Sequence, residues 1–165
     1  AENDGWRVTN VTLRFERGTA FAQHIITMQA QVRKLVALAQ ARETADGTAW
    51  DSDSLRLRVG RLEASVEALW RLTQMCIAEA EETGAPAPIG SAVKLRYSEL
   101  SQEIAEVAMR VIGRPVIGRA SVGTIDASQA VREYLWSLQY TIAAGTSQIQ
   151  RNLIAQRILG LPKAP

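Results

Sequence analysis

At 165 residues, 47% of them apolar, the chain is long enough for one domain with a real core and too hydrophobic for extensive disorder. A net charge of +2, with 22% charged residues of both signs, argues against the basic stripe of a nucleic-acid binder, and no apolar run reaches the roughly 18 residues of a membrane span. Cys76 and His24 are the only residues of their kinds, so there is no internal disulfide and no His/Cys metal cluster, and a reducing compartment fits, the bacterial cytoplasm or one such as the mitochondrial matrix.

The opening Ala1-Glu2-Asn3-Asp4-Gly5-Trp6 lacks the character of a signal peptide and reads as a linker. From Gly5 to about Glu43, the residues Val8, Val11, Phe15, Gly18, Ala22, Ile25, Val32, Val36 and Ala39 fall on one stripe of a long helix. His24 sits beside that stripe as a packing or surface residue. Asp46-Gly47 marks a turn within the break Ala45–Trp50, and Asp51, Ser52 or Asp53 can cap the next helix. There Leu55, Val59, Leu62, Val66, Leu69, Thr73, Cys76 and Ala80 repeat the stripe, ahead of a solvated acidic end at Glu79, Glu81 and Glu82. Thr83 to Pro88 is a loop rich in proline and alanine.

A third helix runs from about Ile89 to Ile112 on Val93, Tyr97, Leu100, Ile104, Val107 and Val111. Gly113-Arg114-Pro115 ends it, and Val116 to Ile125 is an irregular connection. Asp126 or Ser128 caps a fourth helix with an apolar stripe at Val131, Leu135, Leu138 and Ile142. Such stripes cannot be buried singly. The expected fold is therefore all-α, one domain over residues 1–165, an up-down-up-down four-helix bundle with a short C-terminal extra helix.

That extra helix belongs to the stretch from Ile142 to Leu161. Gly145 breaks the chain, Thr146 or Ser147 caps the new helix, and Gln150 completes a Ser-x-x-Gln capping box with Ser147. Ile149, Leu153, Ile154 and Ile158 make one face, and Gly160 and Pro162 stop it. A helix start beside a glycine directs several N–H groups at one spot, which suits an anion or a polar cofactor edge. A plain break between two packed helices explains the same residues.

Gly145-Thr146-Ser147-Gln148-Ile149-Gln150-Arg151-Asn152, with Ile158-Leu159-Gly160-Leu161-Pro162, resembles the C-terminal signature of the acyl-CoA dehydrogenases. Lys94-Leu95 and the run Ser98 to Glu106 resemble that family's third bundle helix. The resemblance implies that the chain is the C-terminal part, or a fragment, of a longer FAD-dependent enzyme whose N-terminal helical and β domains lie elsewhere. The bundle alone should be inactive. It also implies an acyl-CoA substrate, a homo- or hetero-oligomer (dimer or dimer of dimers) built through the bundles, and an electron-accepting flavoprotein as partner.

One subgroup of the family carries its base immediately before the Gly-Thr pair, where this chain has Ala144. The other, like the isovaleryl-CoA and long-chain enzymes, carries it early in the first bundle helix, and Phe15-Glu16-Arg17 matches that arrangement. The resemblance thus implies Glu16 as base, Arg17 and Gly145 near the substrate, and Thr146, Ser147 and Gln148 near the flavin nucleotide. Two family phrases that reach a neighbouring subunit's flavin are altered. One reads Ala41-Arg42-Glu43-Thr44-Ala45-Asp46-Gly47 and the other Arg110-Val111-Ile112-Gly113-Arg114. A non-catalytic assembly subunit of the same shape is the competing expectation.

Overall fold

The computed structural model describes residues 3–15, 21–85, 87–118, 121 and 126–162, with backbone alone at 10 and 12–15. The architecture is all-α, as expected, with seven helices among the described residues and one two-residue β ladder.

The first stripe is carried by α1 (Gly5–Phe15) and α2 (Ala22–Ala41), on either side of residues 16–20. Its second half enters the core through Ile25, Met28, Val32, Leu35, Leu38 and Ala39. Its first half does not, since Val8 and Val11 are about half exposed. Helical periodicity is present there, but no other described helix packs broadly against α1.

Helix α2 stops at Ala41, short of the expected Glu43, because the backbone turns extended at Arg42. Strands β1 (Glu43–Thr44) and β2 (Gly47–Thr48) then pair antiparallel around the Asp46-Gly47 turn. The backbone N–H and hydroxyl of Thr48 both donate to Asp51 Oδ2, at 2.7 and 2.9 Å. These two hydrogen bonds hold the Asp51 carboxyl below the usual carboxylate range. With Asp51 committed to Thr48, the cap of α3 (Asp53–Thr83) falls to Ser52, which accepts from the Leu55 N–H at 3.4 Å.

Helix α3 buries the expected positions Val59, Leu62, Val66, Leu69, Thr73 and Cys76, and ends at a left-handed Gly84 (φ 64°). Helix α4 (Gly90–Ile112) buries its whole predicted stripe. It packs against α2, α3 and three later helices, so it is the central element of the fold. Burying each such aliphatic side chain is worth about 1.5–3 kcal/mol, which is why this stripe was readable in advance.

The connection after α4 contains a short helix, α5 (Pro115–Gly118), where irregular chain was expected. Helix α6 (Ala127–Tyr140) is capped by Asp126, which accepts from the Ser128 N–H at 2.8 Å. Its predicted stripe faces the wrong way. Leu135, Leu138 and Ile142 are 59%, 39% and 68% exposed, while Ala127, Ala130 and Ser137 are buried. The helix carries two apolar faces, and the one made of small residues approaches α4. The face of larger residues is left outward.

Helix α7 (Ser147–Arg157) also packs on α4, and an Arg151–Glu99 ion pair ties the two. Its expected apolar face is partly covered: Leu153 and Ile154 are half-buried, Ile149 and Ile158 are exposed, and Gln150 is its one buried residue.

Candidate functional site

The turn between α6 and α7 spans residues 141–146. Ala144 and Gly145 both have positive φ, at 55° and 95°. An alanine there costs about 1–2 kcal/mol, so something must impose the conformation. Two buried polar side chains do so. Lys94, 2% exposed on α4, donates from Nζ to the carbonyl of Tyr140 at 2.7 Å and to that of Gly145 at 2.8 Å. Gln150, fully buried on α7, donates from Nε2 to the carbonyl of Ala144 at 2.9 Å and more weakly to that of Gly145 at 3.4 Å. The Thr141 carbonyl accepts from the Ser147 N–H at 3.2 Å.

An ammonium group out of water is costly unless carbonyls replace its hydration. The Tyr140 carbonyl, at the C-terminus of α6, is one of the electronegative ends that suit a cation. The turn and the lysine therefore stabilise each other.

The expected Ser147–Gln150 capping box does not form. Thr146 is the cap, accepting from the Ile149 N–H at 3.3 Å, and Gln150 folds back beneath the turn. A Cβ at Gly145 would lie 2.8 Å from Gln150 Nε2, so a larger residue there forces Gln150 or the turn to shift.

Peptide planarity converts these bonds into a direction. In a trans peptide the N–H points opposite to the C=O, and no cis bond is present among the described residues. The carbonyls of Ala144 and Gly145 are drawn inward, so the N–H groups of Gly145 and Thr146 point outward. Neither has an acceptor among the described residues. The side chains of Ser147 and Gln148 stand at the rim of the same turn, half-buried and exposed respectively. The structure thus gathers Gly145, Thr146, Ser147 and Gln148 into one donor-rich edge. Glu16 and Arg17 lie outside the described residues.

A cleft of about 590 Å³ runs between α2, α4 and α6, lined by His24, Met28, Leu35, Tyr97, Ile104 and Trp136 among others. Tyr97 is its aromatic centre, with ring centroids 5.0 Å from Phe21, 5.5 Å from His24 and 5.1 Å from Tyr140. Burial, with the Tyr140 hydroxyl beside it, pushes the Tyr97 phenol well above its ordinary range. Tyr140 also supplies a carbonyl to Lys94, so the cleft ends against the turn. His24 is the exposed packing residue expected of it.

The two altered phrases meet in space: Arg42 Nη2 lies 3.9 Å from where a Cβ on Gly113 would stand. Among the described residues no three of His, Cys, Asp and Glu gather to hold a metal. No described helix is long and apolar enough to cross a membrane.

From the sequence, Gln150 was expected only in a capping box, and Lys94 and Gln102 only as part of the family-like third helix; the roles they take at the turn were not foreseen. A lysine beside Val93, on a stripe whose flank continues through Ser98 and Ser101, was the available signal, since lysines are almost never fully buried without partners.

The sequence profile of the acyl-CoA dehydrogenase C-terminal domain matches residues 3–159. Acyl-CoA dehydrogenase IpdE1 of Mycobacterium tuberculosis is 36% identical over 99% of this chain, which spans 40% of that protein. The crystal structure of an FAD-dependent dehydrogenase superposes with a TM-score of 0.82 at 22% identity, covering 98% of this chain and 42% of that one. The ChsE4-ChsE5 complex of Mycobacterium tuberculosis gives a TM-score of 0.65 at 30% identity, over 86% of this chain and 36% of the matched one. The chain therefore spans about two fifths of the relatives that it matches.

Proposed function

Because this chain belongs to the acyl-CoA dehydrogenase family as a C-terminal domain, we propose that it serves an FAD-dependent α,β-dehydrogenation of an acyl-CoA thioester, with Glu16 as the base. The observation that carries the reading is the outward N–H pair at Gly145 and Thr146, held from below by Lys94 and Gln150. A thioester carbonyl becomes more basic as its α carbon loses a proton, and fixed N–H donors stabilise that charge without reorganising. The Glu16 carboxylate takes the α proton in this scheme. Arg17 beside it orients the thioester.

Bound FAD supplies the two-electron acceptor for the hydride that leaves the β carbon. The side chains of Thr146, Ser147 and Gln148 carry polar groups that suit a polar edge of that group, and would hold it. The altered phrases around Arg42 and Gly113 lack the residues with which the family usually reaches a neighbouring subunit's flavin, so this reading assigns that contact to no residue of this chain.

Glu16→Gln in the full-length flavoprotein tests the base. Bleaching of the flavin absorbance by acyl-CoA should slow by about 10²–10⁴-fold, the usual contribution of a positioned acid or base. An unchanged rate removes Glu16 from the mechanism.

A second reading, an assembly role through the bundle, is favoured by the outward apolar face of α6. Leu135, Leu138 and Ile142 are 39–68% exposed, and the exposed Ile149 follows on α7. Contiguous apolar faces of this kind mark contact surfaces. We take the two readings as compatible, with the dehydrogenase an oligomer built on this face. A full-length protein that sediments as a monomer would remove the assembly role.

A further inference from the structure

We propose that Lys94 is a positioning residue for dehydrogenation: its buried ammonium sets the direction of the N–H groups of Gly145 and Thr146. The inference rests on the dehydrogenase reading for its catalytic consequence, but its structural half stands alone. Lys94 is 2% exposed and reaches two carbonyls that lie 46 and 51 residues away in sequence. One of them belongs to the last residue of α6 and the other to the glycine of the turn. The lysine therefore joins the end of one helix to the approach of the next, across the strained Ala144.

Gln150 alone cannot replace it. Its Nε2 makes its short bond to Ala144 and only a long one to Gly145. Without the ammonium, the Gly145–Thr146 peptide loses its strongest anchor. Glycine on one side of that peptide offers little resistance to rotation. The Thr146 N–H would then swing with the carbonyl, since the two are rigidly opposed.

The positive charge adds a second effect. It lies one peptide unit behind the proposed oxyanion donors, in a buried site where screening by solvent and salt is weak. A lysine rather than a glutamine at this place therefore favours negative charge on the substrate side of the turn.

The test uses the full-length holoprotein and the variants Lys94→Met and Lys94→Arg. Methionine keeps the length and loses the charge and donors, and arginine keeps both. Hydrogen–deuterium exchange should accelerate about tenfold or more in a peptide spanning 141–149 of Lys94→Met, with α2 and α3 unchanged, as expected of a local opening. Its kcat for acyl-CoA should fall about a hundredfold, the effect of a misplacement near 1 Å, with KM within about threefold. Lys94→Arg should restore turn protection and part of kcat.

Turn exchange and kcat both unchanged in Lys94→Met overturn the proposal. So does a fall in kcat that merely follows a global loss of protection in α2 and α3, with Lys94→Arg no better. If Lys94→Met fails to fold, Lys94→Arg decides: turn protection close to the unsubstituted protein with a partial loss of kcat and KM within about threefold supports the proposal, and a tenfold KM rise with intact turn protection overturns it. An unsubstituted holoprotein inactive on acyl-CoA thioesters refutes the dehydrogenase reading, and the exchange result still decides whether Lys94 holds the turn.

Discussion

Replacing Gly145 with alanine should destabilise the protein by about 2–5 kcal/mol, a sum built from separable terms. The backbone sits at φ +95°, outside what an L side chain adopts easily, and this strain costs about 1–2 kcal/mol. The new Cβ would then meet Gln150 Nε2 at 2.8 Å. Gln150 is fully buried and fixed on the Ala144 carbonyl. It either stays, and the overpacking costs about 1–3 kcal/mol, or moves and strands a buried carbonyl at about 1–3 kcal/mol. Only one of these two is incurred.

Denaturant unfolding of the variant protein measures the total. A double-mutant cycle with Gln150→Ala isolates the clash, because Gly145→Ala in that background should retain only the strain. Gly160→Ala is the control: its φ is +65° and nothing lies within 4 Å of its Cβ, so strain is again the whole cost. A Gly145→Ala cost no larger than that of Gly160→Ala, or one unaffected by Gln150→Ala, would refute the account of the turn.

Other outcomes follow from the same geometry. Ser52→Ala should cost about 1 kcal/mol in thermal or chemical unfolding, the usual worth of a helix cap. Because the Tyr97 phenol is raised in the folded state, its stabilising contribution is complete below the ordinary value of 10.0 and declines as pH climbs from there. Tyr97→Phe should flatten that alkaline decline, and an unchanged slope would show that another group titrates. Burial likewise raises the Cys76 thiol. Alkylation at mildly alkaline pH should therefore wait for unfolding, and fast labelling of folded protein would count against its burial. Leu135→Glu with Ile142→Glu should weaken assembly of the full-length protein in sedimentation while leaving its unfolding midpoint nearly unchanged.

Much of this architecture was readable because α4 obeys a simple rule. Its partners surround it, so every apolar position at helical spacing is buried, and the stripe of α3 reads equally well. Helix α6 breaks the rule for a physical reason. Periodicity identifies an apolar face but not its partner, and the smaller Ala127, Ala130 and Ser137 face won the place against α4. The site was legible at Gly145 and Thr146, whose backbone demands are local. Lys94 and Gln150 were not, because their partners are carbonyls, which every residue carries and no sequence pattern marks. Glu16 was reached through family resemblance rather than residue physics.

The smoothness of the α4–α6 contact has one more consequence. Alanine and serine offer few ridges to stop one rod from gliding along another. Along α4, Lys94 grips the Tyr140 carbonyl, and Gln102 reaches the Thr141 hydroxyl at 3.0 Å and the Ser137 carbonyl at 3.4 Å. The two side chains stand eight positions apart, roughly 12 Å along the helix. Together they act as two notches on a ruler, and they index where α6 ends and the turn begins.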